Sequence, residues 1–231
     1  MSSNKPHTSI GTLSEYSLHA KLKEVYSQPS DELEADVEGY VADILRNDHV
    51  IEVQTKQIAA IREKVIALVK NYQVTIVHPI SIKKWIIKES IDGKEILSRR
   101  KSPLKKNIYH LFNELVHVPF LLTNRGIKLE VVLIHEEEVR RHDGKGSWKR
   151  KGWSIHDRRL LKIVEKYQFS SPRDLLGLLP MQLSTPFTNR ELATLIKVKI
   201  GIAQKMTYTL RKMGFIRVAG RKGRSYLHVF A

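Results

Sequence analysis

The spacing of apolar residues changes period several times along the chain, and each change predicts an element. Leu18, Leu22 and Val25 recur at helical spacing and predict a helix over residues 13–26, with Thr12 or Ser14 as its cap. Residues 41–56 carry two apolar-rich runs around Asn47-Asp48, a pair that tolerates the backbone of a tight turn and so predicts a β-hairpin. Ile58, Ile61, Val65, Leu68 and Val69 return to helical spacing and predict a helix over 56–71. A strand is expected at 73–80, a second hairpin around Asp92-Gly93, a helix over 107–116 capped by Asn107, and a strand over 128–135.

The second half reads differently. Residues 144–152 hold Trp148, Lys149, Arg150 and Lys151 between glycines and read as a basic linker. Helices are expected at 156–167 and 172–179, at 187–196, and at 201–213, where Gly214 would end the last. Two short strands at 215–218 and 226–230 flank the basic tip Gly220-Arg221-Lys222-Gly223-Arg224. The fold class expected is an α/β mixed sheet with flanking helices, followed by a mostly α C-terminal domain. In residues, this is a tail over 1–11, a first domain over 12–142, a linker over 143–154 and a second domain over 155–231.

Composition narrows the function. The chain has 231 residues and no cysteine, so disulfide frameworks and thiolate metal sites are excluded. No leader-like apolar stretch opens the chain and no apolar run approaches the roughly 20 residues of a membrane span. The expectation is a soluble, cytoplasmic protein with no membrane partner. Residues 1–139 hold 19 Lys and Arg against 19 Asp and Glu, whereas residues 140–231 hold 21 against 5, so the whole net charge of +16 sits in the second part. Such asymmetry points to a polyanion, most often nucleic acid.

The first hairpin carries the candidate chemistry. With Asn47 and Asp48 as its loop, Arg46 faces His49, Leu45 faces Val50, Ile44 faces Ile51, and Asp43 falls opposite Glu52. Gln54 shares their face, while Ala42, Ile44, Ile51 and Val53 fill the other. Two carboxylates with Cβ atoms roughly 5 Å apart repel each other, unless a divalent cation lies between them or both are solvated. On pairing alone the two readings are even.

Asp43 followed by Glu52-Val53-Gln54 resembles the PD-(D/E)XK, restriction-endonuclease-like, nuclease superfamily over about the first 140 residues. That resemblance implies metal-dependent endonuclease activity on DNA. Asp43, Glu52 and the Val53 carbonyl would hold Mg²⁺ or Mn²⁺, with Glu15 from the preceding helix completing the site and His19 a weaker addition. Gln54 stands where the family usually has lysine, and Lys56 is the nearest substitute; Asp43, Glu52, Gln54 and Lys56 are thus the catalytic candidates. Nucleases of this fold often pair to cut both strands, so a homodimer is an expectation.

Residues 186–231 resemble a winged helix–turn–helix, which implies DNA contacts from Lys199, Gln204, Lys205, Tyr208, Arg211 and Lys212 on the last helix and from Arg221, Lys222 and Arg224 on the wing. The alternative is a non-catalytic DNA-binding protein or transcriptional regulator with a degenerate nuclease-like domain. The histidines His110, His117, His135, His142 and His156 show no metal-ligand spacing.

Overall fold

The computed structural model describes residues 16–231. After helix α1 (Ser17–Tyr26), three strands β1 (Glu32–Val37), β2 (Tyr40–Arg46) and β3 (His49–Val53) form an antiparallel meander. Asn47 takes a positive φ of 53° in the β2–β3 turn, as a two-residue hairpin loop requires. A crossover through α2 (Arg62–Leu68) makes β4 (Gln73–Glu89) parallel to β3. Strand β5 (Ile96–Lys101) turns back against the far end of β4. The chain passes α3 (Phe112–Leu115) and enters β6 (Ile127–His142), parallel to β4, then β7 (Trp153–Phe169), antiparallel to β6. The result is a seven-stranded mixed sheet in the order β1-β2-β3-β4-β6-β7, with β5 sharing the edge of β4. Helices α4 (Asn189–Leu195) and α5 (Ile200–Lys212) and the hairpin β8 (Ile216–Lys222)–β9 (Ser225–Phe230) complete the chain.

Both faces of the sheet are covered over its β2, β3, β4 and β6 strands. Leu18 and Leu22 of α1 pack on Ile44, Ile51, Val53, Val77, Val132 and Ile134. The larger core lies on the opposite face and joins Val65 and Leu68 of α2, Phe112 and Leu115 of α3, and Ala203, Met206 and Leu210 of α5 with Val50, Ile76 and Val131 of the sheet. Ala42, expected beside Ile44, belongs to this second cluster. Among the described residues no helix is long and apolar enough to cross a membrane.

The expected fold class is corrected by this architecture. One large mixed sheet dominates, helices are few, and the chain ends in two β strands rather than in a mostly α winged-helix domain. The segment 156–167, expected as a helix, is the middle of β7. The reason lies in its pairing: Glu136 pairs with Leu160 and His135 with Lys162, so Leu161 is skipped as a bulge. Leu160 and Ile163, three residues apart, then reach the same face and pack against the α1 cluster. A bulged strand has imitated helical spacing. The basic stretch 143–152 connects β6 to β7 as a hairpin loop rather than linking two domains. Acidic residues 32–37 form edge strand β1, and 107–116 splits into a 3-10 turn and the short α3, with Asn107, the expected cap, forming a capping box with His110.

Candidate active site

The β2–β3 ladder pairs Arg46 with His49, Leu45 with Val50 and Ile44 with Ile51, the register expected from the turn. Beyond Ile44 and Ile51 the carboxylates take over from the backbone. The Val53 N–H donates to Asp43 Oδ2 at 2.8 Å, and the Asp43 N–H donates to Glu52 Oε1 at 3.4 Å. The two acids therefore meet at the end of the ladder, each bound to the other's strand.

A basic group approaches this pair from a helix on each side. Lys64 of α2 places Nζ 2.6 Å from Glu52 Oε2 and also donates to the Val41 carbonyl at 2.6 Å. His19 of α1 places Nε2 3.3 Å from Asp43 Oδ2. Helix α1 is itself held by β7, because Asp157 accepts hydrogen bonds from the Ser17 N–H (2.9 Å) and hydroxyl (2.7 Å).

Burial acts on both acids, with opposite results. It pushes Glu52 above the usual glutamate range; Lys64 opposes this and the charge of Asp43 adds to it. On Asp43 burial also pushes upward, but the His19 hydrogen bond and charge, the Val53 N–H and Lys64 outweigh it and hold the group below the usual range. A pair of acids whose environments drive them apart is a common arrangement where acid and base roles are divided.

Asp43 and Glu52 are the predicted residues the fold brings together. Val53 adjoins them, but what it supplies to Asp43 is its N–H. Gln54 is next along the strand and is tied locally: its N–H donates to the Val77 carbonyl, its own carbonyl lies 2.8 Å from His78 Nδ1, and its side-chain oxygen accepts from the Lys56 N–H at 3.2 Å. Lys56 is exposed, with Nζ 5.4 Å from the centre of the Tyr16 ring, and has not moved into the lysine position. Glu15 lies outside the described residues. The residue missed from the sequence is Lys64. Its signal was present: it falls three residues after Ile61 and four before Leu68, inside the apolar stripe of α2, where a lysine needs a buried partner.

Among the described residues no three His, Cys, Asp or Glu side chains stand together as a metal-holding group. Asp43 and Glu52 are carboxylates of the type a hard cation takes, although Lys64, His19 and backbone N–H groups already engage them here. Mg²⁺ commonly takes one or two protein carboxylates, with waters and substrate phosphate filling its other positions.

The predicted DNA-facing residues divide into two groups. Lys199, Gln204, Arg211, Arg221, Lys222 and Arg224 are exposed. Lys205 is turned toward the sheet domain and donates to Asn113 Oδ1 on α3 at 2.7 Å. Tyr208 and Lys212 line a cleft shared with α2. Lys205 thus faces the rest of the protein, while Tyr208 and Lys212 are exposed at the edge of that cleft.

No solved structure matches this chain. An uncharacterized protein of Treponema pallidum (strain Nichols) is 28% identical over 223 residues, which cover 95% of this chain and 86% of that protein. The family described as a domain of unknown function, DUF8091, matches residues 16–170, a span that contains α1, all seven strands of the large sheet and both acids of the candidate site. The chain belongs to the DUF8091 family.

Proposed function

We propose that the protein is a metal-dependent endonuclease that hydrolyses phosphodiester bonds in DNA. The observation that carries this reading is the meeting of Asp43 and Glu52 at the end of the β2–β3 ladder, with Lys64 at 2.6 Å from Glu52. Asp43 and Glu52 would hold Mg²⁺ or Mn²⁺, which when bound polarises a phosphate oxygen and makes its coordinated water a stronger acid. Lys64 supplies the positive charge that Gln54 lacks: it fixes the Glu52 carboxylate and stands beside the place where negative charge grows on the phosphate. The Val53 N–H and His19 keep Asp43 ionised and oriented. The exposed cations Lys199, Arg211, Arg221, Lys222 and Arg224, within a C-terminal part that carries all of the excess charge, hold the DNA backbone. Binding of this kind weakens steeply with salt.

Plasmid DNA incubated with the protein and Mg²⁺ or Mn²⁺ is expected to be nicked or broken, and Asp43→Ala to abolish this. Absence of cleavage on every DNA and RNA form tried sinks the proposal. One observation favours the alternative, a DNA-binding protein without catalysis: the Gln54 amide oxygen is engaged by the backbone of Lys56. On that reading the protein still binds DNA in a salt-sensitive way, and Asp43→Ala changes nothing but stability.

A further inference from the structure

A cleft of about 310 Å³ opens between α2, the 117–124 segment and α5. It lies apart from the acid pair, and its lining combines two kinds of group. Arg62 of α2 and Lys212 of α5 bring fixed positive charge, with His117 beside them. Phe120 and Tyr208 bring aromatic rings that are 53% and 37% exposed, far more than core packing would leave them. Cations also surround the Tyr208 ring: Lys212 Nζ lies 5.8 Å and the Arg211 guanidinium carbon 6.0 Å from its centre. Among the described residues no acid lines the cleft.

These features select a ligand. Exposed aromatic rings can stack flat rings, and every nucleobase has such a face. Two cations without a carboxylate between them favour an anion of the phosphate type. The volume lies at the small end of ligand pockets, which run from roughly 300 to 1,000 Å³, and so suits one unit rather than a chain. We infer that this cleft binds a single nucleotide unit, its base stacked on Tyr208 and Phe120 and its phosphate held by Arg62 and Lys212. The same chemistry is offered by a free mononucleotide and by an unpaired nucleotide within a nucleic-acid strand. Neither cleavage nor a metal ion is required.

The test is therefore binding in EDTA, so that a failure of the nuclease reading leaves it intact. AMP is titrated calorimetrically, and a fluorescent single-stranded 12-mer by anisotropy, against the wild-type protein, Tyr208→Ala, Tyr208→Phe and the double variant Arg62→Gln/Lys212→Gln. Stacking is worth about 1–3 kcal/mol per base, so Tyr208→Ala should weaken binding by roughly 5- to 150-fold. Tyr208→Phe should bind as the wild type does, and the double variant should lose at least about tenfold. Loss in both titrations identifies either source as a ligand; loss with the 12-mer alone identifies the strand; loss with AMP alone identifies the free nucleotide. Binding of both ligands that is unchanged by Tyr208→Ala, or equally strong binding of inorganic phosphate at the same site, overturns the inference. So does failure of both ligands to bind the wild type. Tyr208 lies on a helix whose opposite face is buried in the core, and thermal melts of each variant separate lost binding from lost folding.

Discussion

Lys64 on α2 and Glu52 on β3 form an ion pair of 2.6 Å in which the side chains are only 17% and 5% exposed. Removing one partner of so buried a pair leaves the other charge uncompensated, which is far more harmful than removing both. Lys64→Met is expected to lower stability by about 3 kcal/mol. Glu52→Gln strands the Lys64 ammonium in turn and is expected to cost stability as well, but less than Lys64→Met, because the environment of Glu52 already disfavours its charge and Lys64 is the more exposed partner. The double variant should recover most of the loss. Denaturant titrations of the four proteins close this cycle, and additive single effects would show that the pair does not couple.

The opposite shifts of the two acids predict opposite pH dependence. Asp43 is held below its usual value of 3.8, so it contributes stability above that pH and loses it as pH falls through the lower, folded value. Glu52 is held above its usual 4.5, so its ionisation costs stability as pH rises from about that value through the folded one. Asp43→Asn should therefore be more destabilising at pH 7 than at pH 3. Glu52→Gln should compare better with the wild type at pH 7 than at pH 4. Urea midpoints across this range test both, and parallel curves for the variants and the wild type would contradict the assignment.

These two acids were legible in the sequence because a two-residue turn fixes register, and register fixes which residues oppose each other. Asn47, at positive φ, made that turn readable. What escaped was everything set by partners distant in sequence. Lys64 was visible only as a lysine in an apolar stripe, and its partner lies 12 residues back across a crossover. Strand β7 was misread because its bulge at Leu161 puts Leu160 and Ile163 on one side, a spacing that local pattern assigns to a helix. The linker expected over 143–154 falls inside the β6–β7 hairpin for a related reason. Charge separates the halves of the chain, but packing does not, and Leu192, Met206 and Leu210 join the same core as Phe112 and Leu115.

That shared core makes cooperative unfolding the next expectation. Leu210 is fully buried, and its truncation to alanine should cost about 2–5 kcal/mol. Since α5 packs into the core over the sheet, Leu210→Ala should shift the whole melting transition rather than detach a C-terminal unit. Calorimetry of the wild type and Leu210→Ala should each give one peak. Two peaks, with only one moved by the substitution, would show that the C-terminal segment folds independently.

His228 on β9 offers a prediction of a different kind. It is 2% exposed, and among the described residues neither ring nitrogen has a hydrogen-bond partner. Its ring lies 5.6 Å from that of Phe187, whose backbone it also pairs. Burial, helped by the charge of Arg211, pushes its pKa below the ordinary 6.5. A base with a depressed folded pKa is neutral in the fold, so its stability contribution is complete above about 6.5 and is lost as pH falls below that value. Wild-type stability should therefore fall between pH 7 and pH 5. His228→Leu removes both unsatisfied nitrogens and the titration together, so it should gain about 1 kcal/mol at pH 7 and widen its advantage at pH 5. Urea midpoints at pH 7, 6 and 5 decide the matter, and an advantage that does not grow as pH falls would mean that the His228 ring is protonated or solvated in the folded protein.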